Sequence, residues 1–366
     1  MILFLAGSAS LIWTPAFASA LELTRWGLPY LILTLIMAPL LSQGIRSIQD
    51  SLKALIILGA AINGLILLNP QFTFKVGRLG TDLDALTRSN PLTLGEFGGC
   101  VFIAAVLYRS QSASIAFSFT RAIAATTGAA VCLLSGSRGQ LLFAVVLSLF
   151  IFPVAVRLRN IAAFVGSVVA VLIIGASFYL VAAQVLGFQE LRRWDSAQLE
   201  SGTEVRVYNA LDLVWAFAKS PIAWIVGLGF NAFVAITDSQ EPYSHLLFLD
   251  ILTEQGIPMF VVLCIMLWTV TKDVVWIFRN SIEDQGARAA FASLMGLYVY
   301  QLLLVNKQGY LWCSMLFFLF AIMISRARRW DEDSRLHESS GSSVDWSDPS
   351  ASREASEISN QSRAPA

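Results

Sequence analysis

The feature that most constrains the fold is a succession of apolar runs, each close in length to the thickness of a lipid bilayer. A helix needs roughly 20 mainly apolar residues to cross the hydrocarbon core, with a range of about 17 to 25. Backbone N–H and C=O groups in lipid must find partners within the protein, and the runs are too long for barrel strands, so we expect helices. The sequence predicts about ten spans: Ile2–Ala20, Trp26–Leu41, Leu52–Leu68, Leu92–Tyr108, Arg121–Leu134, Leu141–Val156, Ile161–Val185, Ile257–Val275, Ala289–Leu304 and Tyr310–Ile324.

The amino-acid composition agrees with an all-α polytopic integral membrane protein. Of 366 residues, 56% are hydrophobic and 14% are charged, whereas soluble domains average about 25% charged residues. The net charge of zero gives no bias towards nucleic acid. The segment Ala16–Ala20 resembles a signal-peptidase site, but no basic region precedes it, so we expect a retained first span.

The basic residues predict the orientation of the spans, because cytoplasmic connections carry an excess of Lys and Arg. Alternate connections and the exit from the last span carry Arg46, Lys53, Arg109, Arg121, Arg157, Arg159, Arg279, Arg288, Arg326, Arg328 and Arg329. Both termini are therefore predicted to be cytoplasmic. The transmembrane domain is predicted to cover residues 1–329, and the polar tail 330–366 to be disordered in the cytoplasm.

The opposite, extracytoplasmic face then receives the connections 71–91, 135–140, 186–256 and 306–309. The longest of them, 186–256, is a polar island in an otherwise apolar sequence, and it carries Arg206 and His245. His245 is the only histidine outside the tail. Because scarce ionisable groups collect in this large extracytoplasmic loop, we expect the protein to do its chemistry there.

The connection Ser135–Gln140 leaves almost no loop between two spans. Arg138 is predicted to lie at or just below the membrane surface, where an unpaired charge is expensive and usually functional. The alternative is an interfacial anchor that reaches lipid phosphates. Gly136 and Gly139 favour a functional Arg138, because glycines permit close approach of a backbone or a ligand.

The polar island is predicted to contain two short helices, of which the first is amphipathic. The segment Ser201–Glu204 has the form of a capping box, so this helix should begin near residue 202. Arg206, Asn209 and Asp212 form a narrow polar stripe, and the apolar face opposite could lie on the bilayer. A merely solvated Arg206 is the alternative.

The second helix of the island follows a predicted turn or re-entrant piece at Gly227–Phe230. Ser244 is a suitable N-cap, and the helix should end at Gly256, with Pro258 just beyond. His245 is then predicted in the first turn, where the helix dipole favours neutral imidazole. Neutral imidazole suits general-base work near pH 7, although a lone histidine is more often structural.

Several of these motifs, in this order, resemble the O-antigen ligase and O-antigen polymerase superfamily. They are Leu133–Leu142, Arg206 ahead of an amphipathic helix, Pro221 with Gly227-Leu-Gly229, and Ser244-His245 with Glu254-Gln-Gly256-Ile-Pro258. Arg78, Arg88, Asn90, Pro91 and Gly95 extend the resemblance, which covers roughly residues 78 to 260.

The resemblance implies glycan transfer from undecaprenyl diphosphate to a sugar hydroxyl, at the periplasmic face of a bacterial inner membrane. The acceptor is implied to be another lipid-linked glycan or lipid A core, with chain-length and export proteins of polysaccharide synthesis as further partners. Arg138 and Arg206 correspond to the family arginines that hold the diphosphate, and His245 to the loop histidine that activates the acceptor. The further candidate substrate-binding residues are Arg78, Asn90 and Glu254.

The family reaction inverts the anomeric carbon and needs neither metal nor cofactor. Asp82-Leu-Asp84 has the form of a divalent-metal pair, although an ordinary solvated loop is the preferred interpretation. Leu246 and Met259 stand where ligases of the family commonly have a small polar residue and a second glycine. This departure favours a polymerase of O-antigen, capsule or exopolysaccharide over a ligase.

Two other classes of protein compete with this interpretation. A transporter of lipid-linked sugars should show buried charges in the middle of its spans and an internal repeat, whereas the predicted spans are almost free of acidic residues and no second half of the sequence resembles the first. A non-catalytic subunit of an envelope complex would use the polar island as a docking surface, and the sequence leaves this alternative open.

Overall fold

A computed structural model describes residues 1–69, 72–75, 78–81, 91–109, 114–156, 165, 169, 196–237, 244, 246–280 and 285–339. This part of the chain is almost entirely helical, which confirms the predicted class of structure. Six of its helices are long and apolar enough to cross a membrane, and two apolar helices, at Ile2–Ile12 and Pro91–Leu107, are shorter. The predicted span Ile161–Val185 lies almost wholly outside the described residues.

The described helices and strands are numbered here in chain order. The α-helices are α1 (Ile2–Ala9), α2 (Phe17–Leu41), α3 (Ile45–Leu68), α4 (Pro91–Leu107), α5 (Ile115–Leu134), α6 (Arg138–Val156), α7 (Ser196–Lys219), α8 (Ala223–Val226), α9 (Ala232–Thr237), α10 (Leu247–Asn280), α11 (Gln285–Gln308) and α12 (Met315–Ser339). Short 3₁₀ turns occupy Ser10–Ile12 and Leu311–Cys313. Strands β1 (Phe72–Lys75) and β2 (Arg78–Thr81) form an antiparallel hairpin before α4.

Small residues let α4 and α5 approach very closely. A Cβ on Gly98 or on Gly128 would lie 2.7 Å from the carbonyl oxygen of the other glycine. Close backbone contacts of this kind are typical of helix packing in membranes, where apolar side chains gain little by leaving lipid. Helices α3, α6 and α11 pack around this pair.

Helix α12 packs against α2, α10 and α11. Gly27 in the middle of α2 admits the ring of Trp312, and Gly44 just beyond the end of α2 faces Trp330. Helices α2 and α12 therefore run in the same direction. One large apolar core connects all of these helices.

The predicted first span, Ile2–Ala20, is wrong as a single helix. Helix α1 ends at Ala9, and α2 begins only at Phe17 after a 3₁₀ turn and a non-helical stretch. Pro15 explains the break, because proline lacks an N–H and also disfavours a helical conformation at Thr14. With eight residues, α1 is too short to cross a bilayer.

Helix α12 extends past the predicted end of the transmembrane domain. It continues through Trp330 to Ser339, so the predicted disorder from residue 330 is wrong for the first part of the tail. Opposite charges one turn apart support the extension, since Arg328 Nε lies 3.9 Å from Glu332 Oε2. Residues 340–366 lie outside the described part of the chain.

A carboxylate that sequence analysis passed over ties α10 to α12. Asp273 on α10 is 8% exposed, and its two oxygens accept hydrogen bonds from Arg328 Nη1 and Ser325 Oγ, each at 2.6 Å. The guanidinium of Arg328 also stacks over the ring of Trp276, 5.4 Å from its centroid. Removing the Asp273 carboxylate leaves the partly exposed Arg328 with only the more distant Glu332 as an ionic partner among the described residues.

We therefore expect Asp273→Asn to destabilise the bundle by about 2 kcal/mol, between the values typical of an exposed pair and of a buried one, since Arg328 is partly exposed. The measurement is the apparent melting temperature of purified protein in detergent. Asp50→Asn is the matched control, since the Lys53–Asp50 pair is exposed, with 70% of the Asp50 side chain accessible. Equal melting temperatures for the two variants would contradict a stabilising role for Asp273.

Candidate functional site

The first half of α10 ends at Gly256, whose φ of 85° interrupts the helix. Pro258 explains the position of the break, because it has no N–H to donate to the carbonyl of Glu254. Instead, Gly229 donates its N–H to the backbone carbonyl oxygen of Glu254 at 3.1 Å, and Leu228 donates its N–H to that of Thr253 at 2.8 Å. The turn after α8 thus caps the broken helix.

Glycines on both sides make this contact possible. Gly227 has a φ of 79°, and a Cβ on it would overlap the Glu254 carbonyl. A Cβ on Gly256 would lie 2.6 Å from the Ile225 carbonyl oxygen. We call the two segments Gly227–Phe230 and Thr253–Gly256 the glycine junction. The predicted turn at Gly227–Phe230 and the predicted helix end at Gly256 are both confirmed.

The break between α1 and α2 closes the other side of the glycine junction. Thr14 Oγ1 donates to the Phe230 carbonyl at 2.6 Å, and the Phe230 N–H donates to Ser10 Oγ at 2.9 Å. Gly229, with a φ of 97°, has no side chain that would collide with Thr14. The turn at Gly227–Phe230 therefore satisfies the carbonyl groups of the broken helix, and side chains from the break between α1 and α2 satisfy the backbone of the turn.

Two carboxylates one helical turn apart lie just before the break in α10. Asp250 and Glu254 are each 4% exposed. Ser244 Oγ donates to Asp250, and Glu254 Oε1 accepts from the Phe233 N–H at 3.4 Å. Within the described residues neither carboxylate forms an ion pair with an arginine or a lysine. Both carboxylates thus hold the segments around the glycine junction in place.

The predicted turn Ser135–Gln140 joins α5 to α6 tightly, with Gly136 in the left-handed region at a φ of 70°. Arg138 is the first residue of α6, so its backbone lies at a helix N-terminus. The Gln140 side chain is fully buried, and its Nε2 donates to the Leu92 carbonyl of α4 at 2.7 Å. Gly95 leaves room for the Gln140 amide, which a Cβ would displace.

Lys307, at the end of α11, lies across this turn. A Cβ on Gly139 would overlap Lys307 Nζ and lie 2.7 Å from its Cε. The neighbouring residue Asn306 links the end of α11 to the start of α10, since its Oδ1 accepts a hydrogen bond from the Phe248 N–H at 3.4 Å. The Ser135–Gln140 turn, the C-terminus of α11 and the start of α10 thus lie at one end of the bundle, with the glycine junction. We call this the junction end.

Arg206 lies on α7 and is exposed. No described residue forms an ion pair or a hydrogen bond with it in the structure. The helix buries Leu213 and Phe217 towards α8, α9 and α10, and leaves an apolar face that includes Leu211 and Trp215 exposed. The structure therefore does not bring Arg206 into contact with the glycine junction or the Ser135–Gln140 turn, and its catalytic role stays a prediction.

The predicted start of this helix at Gly202 is wrong, because α7 begins at Ser196 and runs through the proposed capping box. Alanine, glutamine, leucine and glutamate at positions 197–200 favour a helix. They extend the helix past Gly202, whose cost in a helix interior is only about 1 kcal/mol.

Ser244 is not the N-cap of α10, as had been predicted. The Leu246 carbonyl accepts the Asp250 N–H at 2.9 Å, which gives Leu246 the capping position. Ser244 Oγ instead accepts the Leu246 N–H at 3.1 Å, a local turn two residues on. Helix α10 begins at Leu247, and the predicted place of His245 in its first turn stays a prediction. His245 itself lies outside the described residues.

The remaining predicted site residues stay predictions. Asn90 lies outside the described residues, as do Asp82 and Asp84. Arg78 begins strand β2, and the described structure gives its backbone only, as for Arg138. Glu254 is placed at the glycine junction, where its contacts are with backbone.

Lys307 was missed as a candidate, although it falls in the predicted connection 306–309 on the same face as Arg138. A lone cation in a four-residue outer connection is the signal that could have drawn attention to it. Its position beside Gly139 depends on how α11 packs against α6, which no sequence pattern specifies.

Comparison with known proteins adds no relative: no protein-family model and no curated protein sequence matches this chain. Within the part of the chain that the structure describes, no group of three or more His, Cys, Asp or Glu side chains could hold a metal ion. A functional assignment therefore depends on the chemistry of the junction end.

We expect Gly227→Ala and Gly256→Ala each to destabilise the protein, because a left-handed backbone costs a side chain about 1–3 kcal/mol and the Cβ would also press on a carbonyl group. The apparent melting temperature in detergent measures the loss. Gly64→Ala on α3 is the matched control, since a Cβ there meets nothing within 4 Å and should leave stability unchanged or slightly raised. A loss with Gly64→Ala equal to the others would contradict the glycine junction as a stabilising contact.

Proposed function

We propose that the protein is a membrane glycosyltransferase that moves a glycan from an undecaprenyl-diphosphate donor to a sugar hydroxyl. One observation carries the proposal: Lys307 lies across the N-terminus of α6, where Arg138 begins the helix. Helix N-termini and basic side chains are suited to bind and stabilise phosphate groups. Ser244 and Leu246, the neighbours of His245 in the sequence, precede α10 at the same end of the bundle.

The proposed reaction is a displacement at the anomeric carbon. The acceptor hydroxyl oxygen attacks this carbon, the bond to the diphosphate oxygen breaks, and the configuration inverts. His245 accepts the hydroxyl proton as general base. Undecaprenyl diphosphate leaves as an anion, which Arg138 and Arg206 stabilise through charged hydrogen bonds. No metal or cofactor takes part in this scheme.

The proposal places the junction end on the periplasmic side of a bacterial inner membrane. The donor's polyprenyl tail stays in lipid, so its diphosphate must be met at the bilayer edge. The exposed apolar side chains Val207, Leu211 and Trp215 support a position of α7 flat on that edge. The large extracytoplasmic loop belongs to this proposal, and so do about nine of the ten predicted spans, since α1 is too short to serve as one.

Two variants of this function differ in the acceptor. A polymerase of O-antigen, capsule or exopolysaccharide adds to another lipid-linked glycan, and a ligase adds to lipid A core. Leu246 and Met259 support the polymerase. Leu246 caps α10, a position in which only its carbonyl group is needed, so its apolar side chain is compatible with the fold.

We expect purified protein in lipid to convert undecaprenyl-diphosphate oligosaccharide into longer chains without added metal. Arg138→Ala, Arg206→Ala and His245→Ala should each reduce the rate at least a hundredfold, since removing a group that stabilises transition-state charge costs about 10²–10³ in rate. Gel analysis of the lipid-linked products measures chain length. Arg329→Ala, an exposed arginine on α12, is the control and should keep full activity.

Full activity of both Arg138→Ala and Arg206→Ala would contradict the role of these arginines in holding the diphosphate. Loss of activity in EDTA would contradict metal independence and direct attention to Asp82 and Asp84. Product that contains lipid A core, with no lengthened lipid-linked chain, would identify a ligase.

The orientation can be tested with single cysteines in a protein whose four native cysteines are replaced by serine. We expect Ile222→Cys, exposed near the glycine junction, to react with a membrane-impermeant maleimide added outside intact inner-membrane spheroplasts. Trp330→Cys, exposed on α12, should react only after permeabilisation. The reverse pattern would place the junction end in the cytoplasm.

A further inference from the structure

We infer that Ser137, Lys307 and the first turn of α6 form a phosphate-binding subsite in which Lys307 is a ligand of a lipid-borne phosphate or diphosphate. The juxtaposition of Lys307 with Gly139 carries this inference, and the subsite itself stands on geometry. Only the choice of a prenyl diphosphate as its ligand rests on the proposed function.

The position of the Lys307 side chain over α6 depends on the absence of a side chain at Gly139. Any Cβ at this position would overlap Lys307 Nζ and lie 2.7 Å and 3.0 Å from its Cε and Cδ. The lysine stem therefore lies along the surface of Gly139, the second residue of α6. An ammonium group held there is beside the start of α6, where the N–H groups of the first two helical residues have no partners within a helix.

A buried hydroxyl at the same place is a second, independent observation. Ser137 immediately precedes α6 and is 5% exposed, yet its Oγ has no hydrogen-bond partner among the described residues. A side chain in this capping position normally accepts from the N–H of the second or third helical residue. In this structure the Gln140 N–H goes to the Ser137 carbonyl at 3.1 Å instead. The hydroxyl is therefore left as a donor for another group.

These three elements together favour an anion with several oxygens over a carboxylate or a cation. The helix dipole, the first-turn N–H groups and the lysine all prefer negative charge, and the serine supplies a further donor. Phosphate offers enough oxygens for all of them. The subsite lies at the edge of an apolar bundle, so the phosphate it meets is one carried by a lipid.

The test is binding of phosphate ligands to the full chain, purified into nanodiscs of uncharged phosphatidylcholine. The probes are farnesyl diphosphate, inorganic pyrophosphate and phosphatidylglycerol, and calorimetric titration gives each dissociation constant. We expect Lys307→Gln to weaken farnesyl diphosphate binding at least tenfold, as loss of a charged hydrogen bond does. Lys307→Arg should keep most of the affinity.

Gly139→Ala tests the position of the Lys307 ammonium group without removing its charge. The new Cβ would displace only the flexible end of the Lys307 side chain, so the fold should persist while affinity falls by about tenfold. Ser137→Ala should weaken binding by a smaller factor. Lys272→Gln is the control, because its ammonium lies 5.2 Å above the Trp268 ring on α10, and it should bind as the unchanged protein does.

Undiminished binding in both Lys307→Gln and Gly139→Ala overturns the subsite, and so does failure of all three probes to bind the unchanged protein. Variant-sensitive binding of phosphatidylglycerol alone supports the subsite with a phospholipid headgroup as its ligand. If farnesyl diphosphate binding depends on Lys307 but no polymer forms, the proposed function fails and the subsite stands. If the protein makes polymer but Lys307→Gln binds farnesyl diphosphate normally, the subsite fails and the proposed function stands.

Discussion

The carbonyl groups of Thr253 and Glu254 lose their helical partners where α10 breaks at Gly256, and the arrangement of the junction end depends on how they are satisfied. At the edge of an apolar bundle an unpaired backbone group is costly. The N–H groups of Leu228 and Gly229 meet this need. The same turn is held from its other side by Ser10 and Thr14. The break in α10, the turn at Gly227–Phe230 and the segment between α1 and α2 are thus held together by hydrogen bonds.

The contact also explains why polar side chains gather at this end. Asp250 and Glu254 are fixed between the broken helix and the segment after the turn, where Ser244 and the Phe233 N–H are their partners. Asn306 then links α11 to the start of α10, and Lys307 extends from there across Gly139. The opposite end of the bundle is tied by the ion pair of Asp273 and Arg328. Hydrogen bonds among turns hold the junction end together, whereas one ion pair holds the opposite end.

Local patterns predicted much of this structure and failed where a longer-range effect was stronger. Six long apolar helices, the turn at Gly227 and the break at Gly256 followed from apolar length, glycine and proline, which act through the backbone of their own neighbourhood. The start of α7 was misplaced because the capping box at Ser201 lies within a longer stretch of helix-forming residues. Helix α12 continued beyond Trp330 although its composition there is typical of disorder.

The sequence by itself determined that the described part of the chain consists mainly of apolar helices, and that one of them breaks at Gly256. These properties depend on hydrophobic length and on the conformational limits of glycine and proline. Only the tertiary structure decided that the break at Gly256 is paired with the turn at Gly227, and that Lys307 meets the first turn of α6. Both contacts join residues far apart in the chain. They arise from helix packing, in which the absence of a single Cβ decides which surfaces can touch.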